Sequence, residues 1–256
     1  MRMVYSISNF KGGVGKTTTT ASVGAALART GLKVLLVDFD PQGSLSECFA
    51  YAHSAGERTI YDAIMECHGL PYFWDSENLA ITPADVRLST VELKLQGDPD
   101  RSLRLKALLE PVKSQFDAVI IDCPPAFGVG STSALVAADH VIIPMEATSL
   151  ALSGMEKMKV FAERAKTKNP ELDILGVVFT RVRGTSANRS IIAAVHKAYP
   201  GLAFETAIRE NTTLAEASSA HWDIFTYAPR SHGAEDYEAL AHEIIERIKR
   251  RKDNEK

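Results

Sequence analysis

The sequence predicts an α/β protein: a mostly parallel central sheet with helices on both faces. Three observations predict it. Short apolar runs rich in β-branched residues alternate with longer stretches of 3.6-residue periodicity. The runs carry few polar residues, as strands covered on both faces do. A glycine-rich turn joins the first run directly to the first helical stretch, and acidic residues end the later runs, where open α/β sheets bind ligands.

The elements follow in order. Met3–Asn9 (MVYSISN) reads as a buried strand, and Thr17–Arg29 as a helix stopped by Gly31. Lys33–Asp40 (KVLLVDFD) is the second strand. His68–Asn78 (HGLPYFWDSEN) reads as a loop with three aromatics, either a contact surface or rings folded onto the body. Leu79–Ala84 is a further strand candidate. Asp117–Asp122, His140–Met145, Asp173–Thr180 and Ala203–Ile208 complete the set. Met155, Met158, Ala162 and Ala165 share one helical face, and Tyr237, Leu240, Ala241, Ile244 and Ile248 another, both read as core stripes. No repeat, low-complexity tract or linker divides the chain, so residues 1–256 are expected to form one domain.

Composition sets bounds. The chain has 256 residues, 45% hydrophobic and 24% charged, ordinary values for a globular protein that buries a core without disulfides or metals. Its net charge of -3 excludes a polycation, so nucleic-acid binding requires a local basic patch. Cys48, Cys67 and Cys123 are scattered without a C-x-x-C pair, which argues against zinc or a disulfide scaffold and fits a reducing cytoplasm. No leader is expected, and no apolar run approaches the ~20 residues that span a bilayer. The seven histidines show no metal-ligand spacing, and no Ser/His/Asp set stands out.

Lys11–Thr18 (KGGVGKTT) follows a strand and opens a helix, the context of a phosphate loop. Glycines let successive N–H groups face one concavity, and the helix N-terminus adds partial positive charge. Lys16 is then the lysine that reaches the β- and γ-phosphates, and the Thr17 hydroxyl a Mg²⁺ ligand. The ordinary pattern G-x-x-x-x-G-K-[ST] requires glycine at position 10, where Phe10 stands, and a second lysine, Lys11, follows it. Asp38 and Asp40 lie two residues apart on one strand face, and Asp122 ends another strand. Each acid alone is also an ordinary strand-end cap; together they favour a site. Cys123 beside Asp122 reads as a buried, inert thiol.

KGGVGKTT resembles the deviant Walker A loop of the ParA/MinD family of P-loop ATPases. The resemblance implies ATP and Mg²⁺ as cofactors and a homodimer with ATP sandwiched between subunits. Lys16 then acts in cis, and Lys11 on the phosphates held by the other subunit. The catalytic set implied is Lys11, Lys16, Asp40 and Asp122, with Asp40 positioning the attacking water. The nucleotide set is Lys11, Gly12, Gly13, Val14, Gly15, Lys16, Thr17 and Thr18, with Thr180 and Asn211 near the base. The metal set is Thr17, Asp38 and Asp122.

VDFDPQGS (Val37–Ser44) and the block Ile208–Ile244, with its L-x-E-A and Y-x-P-x-S-x-G-A-x-x-Y, are similar to the ParA/Soj partition branch. That likeness implies a cytoplasmic, nucleoid-associated ATPase. It would bind double-stranded DNA non-specifically and hydrolyse ATP slowly until a ParB-like centromere-binding protein stimulates it, so partitioning plasmids or chromosomes. The alternative is a relative that positions a protein cluster or organelle; a metabolic ATPase on the same scaffold is a further rival. The DNA candidates are Arg181, Arg183, Arg189, Arg209, Lys249 and Arg250, although RIKRRK (Arg247–Lys252) equally suits a solvated helix end. Thr213 stands where several relatives carry a DNA-binding arginine. The tail has Ile244, Ile245 and Ile248, which fit a core stripe, but no tryptophan, phenylalanine or leucine near its end, so no membrane partner is expected.

Overall fold

The structure, a computed structural model, describes residues 2–51 and 57–254. Its strands are β1 (Met3–Ile7), β2 (Val34–Asp38), β3 (Phe73–Trp74), β4 (Leu79–Thr82), β5 (Ala118–Asp122), β6 (His140–Glu146) and β7 (Asp173–Thr180). They form one sheet in the order β3-β4-β2-β5-β1-β6-β7. Every pairing is parallel except β3 with β4.

The period of two in each strand sorts side chains to two cores. Val4, Leu35 and Val37 join one, together with Met155, Met158, Ala162 and Ala165 of the Ala151–Ala165 helix. Tyr5, Ile7, Val34 and Leu36 join the other, with Tyr237, Leu240, Ala241, Ile244 and Ile248 of the His232–Asn254 helix. Both helical stripes are therefore core, as their periodicity predicts. The Lys16–Arg29 helix lies in the second layer, tied by Thr19 Oγ1 and Tyr237 Oη at 3.1 Å. Gly24 lets it press onto the sheet: a Cβ there would stand 2.4 Å from Leu36 Cδ2.

Two expectations need correction. Ala203–Ile208 is not a strand. It touches β7 at its ends, with Phe204 N donating to Val177 O (2.8 Å) and Ile208 N to Phe179 O (2.7 Å). Between them the Glu205 and Thr206 amides turn to the Glu243 carboxylate at 3.0 and 2.9 Å. That helical acid outcompetes the ladder. His68–Asn78, read as a loop, contains β3, an edge strand. Its rings do fold onto the body: Phe73 stacks on Tyr51 and Tyr72 meets Phe116, though Trp74 stays half exposed. Among the described residues no helix is long and apolar enough to cross a membrane.

Candidate functional site

The parallel register brings distant strand ends together. Ile7 of β1 and Asp38 of β2 both align with Asp122 of β5, and Glu146 of β6 aligns with Thr180 of β7. The Ser8–Gly15 loop crosses this edge and leads into the Lys16–Arg29 helix.

Gly13 (φ 73°) and Gly15 (φ 82°) take left-handed backbone conformations that side chains disfavour, which turns the loop back on itself. Asn9 pins its start: Nδ2 donates to Pro144 O (2.7 Å), and Oδ1 accepts from Lys11 N (3.0 Å). Thr180 Oγ1 pins its centre, donating to Val14 O at 2.9 Å. The loop is thus pinned by the ends of β6 and β7 and leads straight into a helix N-terminus, whose free N–H groups favour an anion.

The two lysines diverge. Lys16 is 7% exposed, and its ammonium donates to Lys11 O at 3.3 Å, closing over its own loop. Burial pushes its pKa down, opposed by Asp122 and Asp40. Lys11 turns outward, with its side chain 51% exposed, and pairs with Glu146.

Below the loop lie the acids. Asp122 accepts from the Thr17 hydroxyl (2.7 Å) and from Thr20 Oγ1 (3.3 Å). Burial pushes its pKa up to about 8, reinforced by the neighbouring Asp38. Asp38 is fully buried and accepts from Ser46 through Oγ (2.7 Å) and N (2.8 Å); burial raises its pKa to about 6 against those bonds. Asp40 follows at the surface, its Oδ1 accepting from Gln42 N at 3.0 Å. Thr17 and these carboxylates are hard oxygen donors too few for an all-protein cage. That suits Mg²⁺, which keeps waters and takes phosphate oxygens. Among the described residues no cluster of three or more His, Cys, Asp or Glu forms a metal cage. Cys123 is buried beside Ser6 Oγ, its thiol pushed up to about 12 by burial, the inert group expected.

Thr18 faces a narrow cleft with Cys48, Leu214 and Ala217. Asn211 lies just before the Thr213–Ser219 helix. Its Oδ1 accepts from Thr213 N (2.9 Å) and Oγ1 (2.6 Å) and so starts the Thr213–Ser219 helix.

The basic candidates do not form one patch. Arg183 donates through Nε and Nη2 to the two Glu210 oxygens at 2.7 Å each, Arg209 holds Asp236 and Glu235, Arg181 faces Glu146, and Lys249 pairs with Glu246. Arg189 donates to Gly184 O, and Arg250 is exposed. Glu146, Asn9, Ser46 and Thr20 escaped the sequence reading. Asn9, adjoining the loop, carried a local signal; the partners of Glu146 and Thr20 are set by sheet order, and the Asp38 partner of Ser46 by the turn after β2.

An AAA domain family matches residues 2–174. The chain is 37% identical to the sporulation initiation inhibitor protein Soj of Bacillus subtilis over 249 residues, 95% of this chain and 98% of that one. It is 36% identical to the chromosome partitioning protein ParA of Caulobacter vibrioides over 251 residues, 95% of this chain and 94% of the other. Its fold is similar to a Mycobacterium smegmatis structure described as cobyrinic acid a,c-diamide synthase with bound ADP and magnesium. The TM-score is 0.84 at 30% identity, covering 97% of this chain and 96% of that one.

Proposed function

Because the chain belongs to the ParA/Soj-type family of partition ATPases, we propose that it is an ATP- and Mg²⁺-dependent dimerising switch that partitions DNA through slow, partner-stimulated hydrolysis. The observation that carries this reading is the divergence of two lysines on one loop. Lys16 is buried over its own cradle, while Lys11 is half exposed and directed away from it. A cation aimed outward from a phosphate loop suits phosphates held by a second subunit, as an arginine finger does.

In this reading residues 11–18 cradle the triphosphate, and Thr180 keeps the loop in shape. Bound Mg²⁺ neutralises the phosphate oxygens. Thr17, Asp122 and Asp38 are the oxygen donors that would hold the ion, directly or through water. Asp40 orients the attacking water at the outer end of the row. The γ-phosphate orders the loops after β2 and β5, and its loss releases the dimer. Asn211 and Thr180 flank the base. The ATP dimer associates with the nucleoid in the cytoplasm, and a ParB-like protein triggers its turnover.

The test is dimerisation by light scattering with Mg²⁺-ATP and with ADP, in an Asp40→Ala background that slows hydrolysis. The expected result is an ATP-dependent dimer that Lys11→Ala abolishes while nucleotide binding persists. A dimer unaffected by Lys11→Ala overturns the trans role.

One observation favours a second reading, in which the cargo is a protein cluster instead of DNA: four of the six DNA candidates are ion-paired within the subunit.

A further inference from the structure

Glu146 ends β6 beside the start of the phosphate loop, and its carboxylate is shared by two cations. Lys11 Nζ binds Oε2, and Arg181 Nη1 faces Oε1 at 3.4 Å. Arg181 is placed by the β6–β7 register, one residue past Thr180, the partner of Glu146, and takes a left-handed backbone (φ 51°). Lys11 and Glu146 line a cleft of about 290 Å³ together with Asn9 and Phe10, so the pair is open to an incoming ligand. The bond from Lys11 holds the Glu146 carboxyl below its ordinary range, although burial opposes it.

We propose that Glu146 is a positioning residue: it holds Lys11 within its own subunit and yields it to a partner-bound nucleotide only when the γ-phosphate is present. The proposal rests on the trans role of Lys11. A single carboxylate competes with a polyphosphate for one ammonium. The triphosphate carries more charge than the diphosphate, so the same clamp that ATP overcomes holds Lys11 back from ADP. Arg181 remains on Glu146 when Lys11 leaves, so the partly buried carboxylate is not stranded without a counter-ion. An exposed pair contributes little, which suits a clamp that must open.

The first measurement is the labelling rate of Lys11 by an amine-acetylating reagent in the nucleotide-free full chain, read by mass spectrometry. An ammonium held against a carboxylate is shielded. Glu146→Gln, nearly isosteric, is expected to raise labelling by about two- to five-fold, the range of an exposed ion pair. Arg181→Ala is expected to lower it, because Glu146 then serves Lys11 alone. A merely structural role for Glu146 does not predict opposite signs. Glu146→Asp should restore part of the protection. The second measurement is dimer affinity with ATP and with ADP: Glu146→Gln should narrow the preference for ATP by a similar factor.

Unchanged labelling in Glu146→Gln, or increased labelling in Arg181→Ala, overturns the clamp while leaving the trans role of Lys11 intact. An unchanged ATP/ADP preference overturns it as well. Normal ATP-dependent dimerisation of Lys11→Ala overturns the trans role and the clamp with it, whatever the labelling shows.

Discussion

Ser46 shows what a single side chain does for a site that its sequence position does not announce. Its amide and hydroxyl both donate to Asp38 Oδ2, and its Oγ accepts from Ala84 N at 3.1 Å. One hydroxyl thus supports a buried carboxylate and ties the loop after β4 to it. Removing it leaves a buried acceptor and a buried donor short of a partner, which costs about 1–3 kcal/mol. Ser46→Ala is therefore expected to lower the unfolding free energy read from urea titration by that amount and to weaken Mg²⁺-dependent nucleotide binding, measured by calorimetry. Loss of stability with unchanged metal dependence would separate Asp38 from the metal role. The loop was legible because its pattern is local: eight consecutive residues carry glycine, lysine and threonine at fixed spacing, between a strand and a helix. Ser46 and Glu146 were not, because a serine eight residues after an acid, or an acid 135 residues after a lysine, has no meaning before the chain is folded.

At the scale of elements, local pattern decided most strands, and competition decided the exceptions. Leu79–Thr82 is buried at every position and pairs with β2, so its short apolar run was sufficient signal. Ala203–Ile208 has an equally good pattern but lies opposite Glu243, which takes its central amides. A second acid network joins the Ile60–Glu66 helix to the turn after β4. Thr59 and Asp62 form a capping box, and Arg87 bridges Asp62 and Asp85 at 2.9 Å each. Burial alone would raise the Asp85 carboxyl. Hydrogen bonds from Arg87 and Thr59 outweigh it and bring Asp85 to about 2. An unfolded aspartate titrates near ~3.9, so this network stabilises the fold above that pH and is lost as pH falls through about 2. Solvent around Arg87 screens the effect to about 1 kcal/mol. Chemical denaturation at pH 5 and pH 3 should show a larger loss for the wild type than for Asp85→Asn. Equal losses would mean that the network does not report on folding.

For the whole molecule, sheet order converts scattered strand ends into one edge and also separates the cations that the sequence placed in one group. Strand partners such as Tyr5 and His140 are far apart in the chain, so no local pattern disclosed the order β3-β4-β2-β5-β1-β6-β7. Its consequence for DNA is specific. Arg181 follows the end of β7, whereas Arg251, beside Arg250, pairs with Asp173 at the start of β7. Eight residues of strand separate them, a span of about 25 Å. Arg181, Arg183, Arg209 and Lys249 already hold carboxylates, and among the described residues Arg189 and Arg250 are the candidates without one. A dimer then offers about four uncommitted cations, and each neutralised phosphate contributes about −0.9 to the log–log salt slope. Filter binding of random duplex DNA with ATP should therefore show a shallow slope of about −3 to −4. Arg250→Ala should flatten it by about 2 per dimer, while Arg183→Ala leaves it nearly unchanged. A slope near −10, of the size expected when many phosphates are contacted, would mean that the ion-paired arginines are released on dimerisation. Absence of ATP-dependent retention at low salt would remove DNA as the matrix, and the same switch would then act on a protein cargo.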